Sequence, residues 1–347
     1  MKMKKILSLS LALLMAFSIA ACGNGTKGSS NSNPGSAPNS SSGSPAVQPT
    51  DSAWPSDKTV QMIIPFGAGG DTDLHCRVLT DLVSKELGTD IVCTNVTGTS
   101  GTIAARQVMD SAADGYTILW HQTSFLMASL MGISEFDYTD FTTASTVIED
   151  MSSFLCVNAK SDKFSNFGEF VQYAKDHPGE LLVGISVGGD AHLYSLIMAD
   201  KLGIELTYVD LDGTNEIVPA LLNQDVDLTI GIYGTYKEYV DKGEFAALAY
   251  FGDEAPTGSD IPTWKSLSGE SFPIGKMFGY WFPAGTPQDI VDKFNAAVEK
   301  VSTSDEWKEH CASYYITPVT RVGSDAVTYL DSQYQLMGGY KDALLGG

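Results

Sequence analysis

Basic residues are scarce in this chain. Its 347 residues hold 21 Lys and Arg against 42 Asp and Glu, a formal charge of −21. So acidic a surface repels phosphate backbones and anionic lipid headgroups, and nucleic acid is therefore not expected as a partner. Histidine is scarcer still. His75, His121, His177, His192 and His310 are scattered, with no HExxH and no compact pair, so no metal site is expected. Cysteine is also sparse: beyond Cys22, only Cys76, Cys93, Cys156 and Cys311 occur, with no CxxC and no Cys/His metal spacing. Each of these four lies in a helical or strand-like apolar pattern, so buried free thiols are expected. One or two disulfides are the alternative in an extracytoplasmic setting. The chain also lacks GxGxxG and Gly-Lys-Ser/Thr, which removes dinucleotide and P-loop readings, and it lacks a GxSxG elbow. No internal repeat is present and no cofactor is expected.

Long apolar runs are confined to the amino terminus. Met1 to Ala21 reads as a secretory signal: Lys2, Lys4 and Lys5 precede an apolar run, Ile6 to Ile19, too short for a comfortable membrane span. Ile19-Ala20-Ala21-Cys22 resembles a bacterial lipobox, so processing is expected to leave Cys22 as a lipidated first residue. The formal charge then becomes −24, with 18 Lys and Arg against 42 Asp and Glu. Residues 22–53 pair that cysteine with a Ser, Gly, Asn and Pro tract too poor in aliphatic residues to offset its ordering entropy, a flexible tether. Attachment to the membrane is expected by lipid alone.

What remains is ample for two lobes, each with its own core. Short apolar runs at Thr59–Ile64, Asp90–Thr94, Tyr116–Trp120, Phe154–Val157, Leu182–Ile185, Thr207–Val209, Leu228–Ile230 and Ala246–Tyr250 read as strands. Amphipathic stretches at Leu74–Leu87, Phe167–Asp176, Ala191–Leu202 and Asn215–Asn223 read as helices between them. The βαβα order predicts an α/β fold of mixed, mostly parallel sheets flanked by helices. From Thr286 the tail is mostly helical, with Gln288–Val301 and Ser304–Ala312 as its clearest pieces. Ligands of such sheets settle where loops gather at strand carboxyl ends.

Two strand–glycine loop–helix units stand out. In the first, Phe66, Gly67, Ala68, Gly69, Gly70, Asp71 and Thr72 follow an apolar strand and open a helix, so that amides of the loop form a cradle for an oxyanion. Nothing catalytic adjoins it, which suggests a holder of small molecules. Asp73 reads as a helix-start or ordering residue. In the second unit, Ser186, Gly188 and Gly189 lead to Asp190, a plausible N-cap or ligand contact. His192 reads as a structural hydrogen-bonding residue more than a base. Thr123 and Ser124 follow a strand and either offer hydroxyls to a cleft or cap a helix. Tyr233 either walls a pocket or packs; Tyr280 and Trp281 are placed at an interlobe crossing, mainly as core.

At these residues the chain resembles the receptors of tripartite tricarboxylate transporters, the Bug or TctC-type family. The motifs recur in order: Trp54-Pro55-Ser56; Pro65-Phe66-x-x-Gly69-Gly70-x-Thr72-Asp73; Arg77; Asn95, Gly98 and Gly101; Asp114-Gly115-Tyr116-Thr117. They continue with His192 closing a glycine-rich loop, Gly213 opening a helix, Val226-Asp227, and the run from Phe278 to Pro287. The resemblance implies a two-lobed, type II periplasmic-binding-protein fold with its ligand in the interlobe cleft. Lobe 1 is expected over 54–150 and 275–347, and lobe 2 over 151–274. It also implies delivery to a pair of membrane permease subunits, and a ligand carboxylate held at Phe66 to Thr72 and Ser186 to Asp190. A monomer is expected.

The chain departs from that family at Gly189 and Asp190, where Ser or Thr is common, at Asp212 in place of Lys, and at Val96 in place of Arg. These changes remove cationic or hydroxyl character near the cleft mouth, including at Asp212, and a buried carboxylate without countercharge is costly. A solute pairing a cationic or amide group with one carboxylate is therefore expected, rather than citrate. The rival reading is an extracytoplasmic hydrolase in the same cleft, for which Asp190 with His192 is the local nucleophile–base candidate.

Overall fold

Runs of β-branched and aliphatic residues alternate with amphipathic stretches along this chain, and two sheets result. The computed structural model describes residues 53–345 except 57, 212 and 257. All belong to one compact unit, Pro49–Gly347. The signal segment, Cys22, the tether through residue 52 and Asp212 lie outside the described residues. The strands are β1 (Val60–Ile64), β2 (Ile91–Asn95), β3 (Thr117–Gln122), β4 (Phe141–Asp150), β5 (Ser153–Asn158), β6 (Leu182–Ile185), β7 (Thr207–Asp210), β8 (Leu228–Ile232), β9 (Phe245–Tyr250), β10 (Lys276–Pro283) and β11 (Thr317–Val322). The helices are α1 (Asp71–Leu87), α2 (Thr102–Met109), α3 (Ser124–Leu130), α4 (Phe167–Asp176), α5 (Asp190–Leu202), α6 (Thr214–Asn223), α7 (Tyr233–Asp241), α8 (Trp264–Ser268), α9 (Gln288–Ser302), α10 (Asp305–Ser313), α11 (Gly323–Gly338) and α12 (Lys341–Leu344). No helix among the described residues is long and apolar enough to cross a membrane.

The first sheet runs β11-β4-β10-β3-β1-β2 and the second β7-β6-β8-β5-β9. Two connections carry the strands between them, and the C-terminal tail returns to the second sheet's side, where α12 packs on α5. Met151 and Ser152 link β4 to β5, and Gly275 precedes β10 on the way back. Both sheets are mixed, but the parallel share is smaller than the strand–helix alternation suggests. β1 pairs in parallel with β2 and β3, and β6 with β7 and β8; the five other pairings are antiparallel. The cause is the double crossing. β4, β5 and β10 join the sheets directly, and a strand that enters without a crossover helix is free to run antiparallel.

All eight strands expected from the apolar runs are present, several extended by a residue or two. The long strand β4 escapes detection because its polar Ser145 and Thr146 are buried, which hides its alternation. Strand β10 is buried along its whole length and holds Tyr280 and Trp281 at its middle. Both rings are core, as expected, but they sit four or more residues past the crossing. Trp281 packs on Phe125, and Tyr280 on Phe294 and Trp120. One buried cluster is continuous across both sheets, joining Leu119, Phe125 and Trp281 to Leu155, Val183 and Leu193.

Candidate functional site

The loops that precede α1 and α5 belong to different sheets, yet their first helical residues share one cation. Lys276, the first residue of β10, places Nζ 2.7 Å from Oδ2 of Asp71 and 3.0 Å from Oδ2 of Asp190. Lys276 is 7% exposed. A buried ammonium is tolerated only with close partners, and here two carboxylates supply them. Burial opposes the charge on Lys276, but Asp190 and Asp71 outweigh it and hold the ammonium protonated. Burial works to raise Asp71, but Lys276, helped by His75 and the Thr72 N–H, brings its carboxyl below the ordinary value. Asp190 goes the other way: burial dominates and Lys276 offsets only part of it. The difference follows from partners, since Asp71 Oδ1 also accepts the Thr72 N–H at 2.8 Å while Asp190 Oδ1 is buried without a partner among the described residues.

Asp150 completes this group from the other crossing. It is the cross-strand neighbour of Lys276 in the β4–β10 ladder and is 1% exposed. Oδ1 accepts the Ser152 N–H at 2.7 Å, whereas Oδ2 has no partner among the described residues. Burial pushes its carboxyl up to about 7. Tyr236 of α7 approaches from the second sheet; burial raises its hydroxyl, and it feels both Asp71 and Lys276.

The first loop is shaped by its own acids. Asp73 accepts the Gly69 N–H at 3.0 Å through Oδ2 and takes Arg77 and Asn95 on Oδ1. Asn95 also donates to the Phe66 carbonyl at 2.8 Å, and the Phe66 ring meets His121 edge-on. Asp73 is thus an ordering residue. Two amides expected to face a ligand are turned inward instead: Gly69 serves Asp73, and Thr72 serves Asp71. Gly67, Ala68, Gly69 and Gly70 are exposed all the same. Gly69 has φ +83, a conformation glycine adopts without strain.

In the second loop, Ser186 Oγ donates to the Leu211 carbonyl and accepts the Gly213 N–H, tying the starts of α5 and α6 together. Gly188, at φ +76, seats this loop against the first sheet's side of the molecule: a Cβ there would lie 3.0 Å from Met131 Sδ. The N-cap of α5 is Gly189, not Asp190. Asp190 is the first helical residue, and its carboxylate goes to Lys276 because an ion pair satisfies more than a cap does.

Other expected residues lie elsewhere. His192 accepts weakly from the Gly188 N–H at 3.5 Å, stacks edge-on with Tyr208, and faces a hollow of about 750 Å³ lined also by Asp210 and residues Asp342 to Leu345. The Asp190–His192 couple needed by a hydrolase is not formed, since each residue is engaged with a different partner. Thr123 hydrogen-bonds Met277 through both its N–H and its hydroxyl, extending the β3–β10 ladder. Ser124 is buried with Oγ unpartnered among the described residues. Tyr233 packs against Phe154, Tyr250 and Tyr315 and does not reach Lys276. His75 and His310, 235 positions apart, form a pair at 2.9 Å, which corrects the expectation that the histidines are dispersed. No group of three or more metal-ligating side chains occurs among the described residues.

Sequence reading missed Lys276, Asp150 and Tyr236. A signal for Lys276 existed: a single cation in Ile274-Gly275-Lys276-Met277-Phe278, next to an expected crossing, requires a buried counterion.

Comparison with known proteins agrees with this architecture. A model of the tripartite tricarboxylate transporter family receptor matches residues 75–338. Protein BugT of Bordetella pertussis is 26% identical over 287 residues, covering 81% of this chain and 88% of that protein. A structure of an R. palustris protein with adipate superposes with a TM-score of 0.75 at 26% identity, covering 84% of this chain and 98% of the other. The periplasmic binding protein BugD gives a TM-score of 0.73 at 25% identity, over 82% and 97% of the two chains. A mixed α/β fold of two sheets with flanking helices is therefore the periplasmic-binding-protein architecture, and the chain belongs to the TctC family of tripartite tricarboxylate transporter receptors.

Proposed function

We propose that this chain is an extracytoplasmic, lipid-anchored receptor that captures a small carboxylate-bearing solute, an amino acid or another small carboxylate, and delivers it to membrane permease subunits. Lipid on Cys22 and the tether to residue 53 hold it at the membrane, and it acts as a monomer without catalysis. Lobe 1 comprises 54–150 and 275–347, lobe 2 comprises 151–274, and the solute lies between them.

One observation carries this reading: the loops opening α1 and α5, from different sheets, meet at Lys276. Loops that converge from both sides of a double crossing are placed to clamp a small molecule by hinge closure. Family membership supports it, as do two related R. palustris structures, one with adipate and one with bound malate. Phe66 to Asp71, Ser124, Ser186, Gly188, Gly189 and Asp190 are the contact residues we assign, and Asp212 is added from the sequence alone; Thr72, Thr123, His192 and Tyr233 support them from behind. Calorimetry of the purified protein against amino acids and mono-, di- and tricarboxylates tests the proposal. Saturable binding of one class is the expected result, and silence across the whole panel refutes it. Loss of metabolic fatty-acid labelling on Cys22→Ser tests the anchor separately.

A further inference from the structure

The group around Lys276 has more negative charge than its single cation balances. Asp71 and Asp190 both bind Lys276, so these three side chains alone leave one negative charge uncompensated. An ammonium has three donors, and two are already spent. The third points to nothing that the two aspartates supply. Two further buried groups lack partners on the same side. Asp150, 1% exposed, has Oδ2 without a partner among the described residues, across the ladder from Lys276. Tyr194, also 1% exposed, has its hydroxyl unpartnered among the described residues and stands one helical turn beyond Asp190 on the same face of α5. Asp190 Oδ1 is a second carboxylate oxygen without a donor among the described residues. A buried acceptor left unmade costs about 1–3 kcal/mol, more when charged, so the unpaired carboxylate oxygens and the surplus negative charge call for a cationic donor, which the neutral Tyr194 hydroxyl does not replace.

From this we infer that the cleft sorts solutes by charge: Asp190 and Asp71 form a subsite for a protonated nitrogen of the solute, while the remaining donor of Lys276 takes the solute's carboxylate. This rests on the receptor reading above and narrows it. A zwitterion leaves the buried charge unchanged and supplies N–H donors to Asp190 Oδ1. A dicarboxylate of the same length brings two further negative charges beside two aspartates, and nothing among the named groups compensates them.

The test uses the full chain and matched pairs in which an ammonium replaces an oxygen function: aspartate with malate, and 6-aminohexanoate with adipate. The remaining common amino acids and shorter ω-amino acids serve to find the right spacing. In calorimetry, at least one nitrogen-bearing compound binds, and its dicarboxylate or hydroxy counterpart binds at least about tenfold more weakly. Asp190→Asn, shape-conserving at a position where the fold needs no charge for its cap, reduces or abolishes that preference and weakens the nitrogen-bearing compound more than its counterpart. Thermal unfolding of the variant confirms that it is folded, and the wild-type series stands alone if it is not. Equal or tighter binding of the dicarboxylate overturns the subsite and leaves the receptor reading intact. Binding of the amine that Asp190→Asn leaves unchanged also overturns it. Absence of binding by every compound overturns the receptor reading for small carboxylates and this inference with it.

Discussion

Replacing Lys276 with methionine strips countercharge from Asp71 and Asp190 together and leaves two carboxylates facing a buried site. Removing one partner of a buried ion pair costs about 3–5 kcal/mol, and urea unfolding of Lys276→Met at neutral pH is expected to show a loss of that order. Asp150 supplies a second test at this scale. Its folded value of about 7 stands above the unfolded value near 3.8, so the native state holds the proton more tightly. Its contribution to stability is full below pH 4 and is lost as pH rises through 7. His75, lowered to about 4, acts in the opposite direction, but equally in wild type and variant. Asp150→Asn is therefore expected to gain stability relative to wild type as pH goes from 4 to 8, by at most about 4 kcal/mol at 1.36 kcal/mol per unit. Urea midpoints at successive pH values check this. Among the described cysteines, all free, Cys93 is half-buried; a hydrogen bond from Cys76, aided by Arg77, lowers its thiol. Burial pushes Cys76, Cys156 and Cys311 up, so iodoacetamide should label Cys93 first, as read by peptide mass spectrometry.

Strand β10 is the element on which the site depends, because it carries Lys276 at its start and the first sheet's core along its length. Its ladder with β4 slips register between Phe278 and Gly279, and the reason is local: a Cβ at 279 would lie 2.5 Å from the Ser145 carbonyl oxygen. Glycine here permits close backbone approach at an irregularity. Gly279→Ala is expected to cost about 1–3 kcal/mol by overpacking, measured as a lowered urea midpoint, and to shift Lys276 away from the two aspartates. Legibility in the sequence differs sharply among elements. Strands β1, β3 and β6 announce themselves by β-rich apolar runs, and α1 and α9 by periodicity. β4 does not, since Thr142, Thr143, Ser145 and Thr146 imitate a loop until cross-strand pairing orders them and buries the last two. Helix α11 is equally hidden, having few aliphatic residues in Gly323–Gly338 and binding to β4 and α3 through Leu330, Met337 and tyrosines.

For the molecule as a whole, Lys276 is a charged fastening between the two sheets, beside the crossings that join them. The buried cluster common to both sheets, the Tyr233–Tyr315 contact and the seating of Gly188 on Met131 and Ile133 also hold the two halves together. With the ion pairs removed, opening is resisted by apolar and aromatic packing, with no charge pair at Lys276 to oppose it. Small-angle scattering is expected to give a larger radius of gyration for Lys276→Met than for wild type, with saturating solute reversing part of the difference. An unchanged radius would assign closure to the aromatic and glycine contacts instead.

Composition and local pattern were enough to determine the two glycine turns, most strands and helices, the alternation that makes an α/β fold, and the family likeness. Those properties depend on residues near one another in the chain, where side-chain period and turn chemistry act directly. The charge centre was decided only in three dimensions. Asp71, Asp190, Asp150 and Lys276 are far apart in sequence, and whether each is a cap, a surface charge or half of a buried pair depends on which strands the crossings bring together. Folding also reassigned two amides of the first loop to its own carboxylates, because a backbone N–H bonds whichever acceptor the completed structure places nearest.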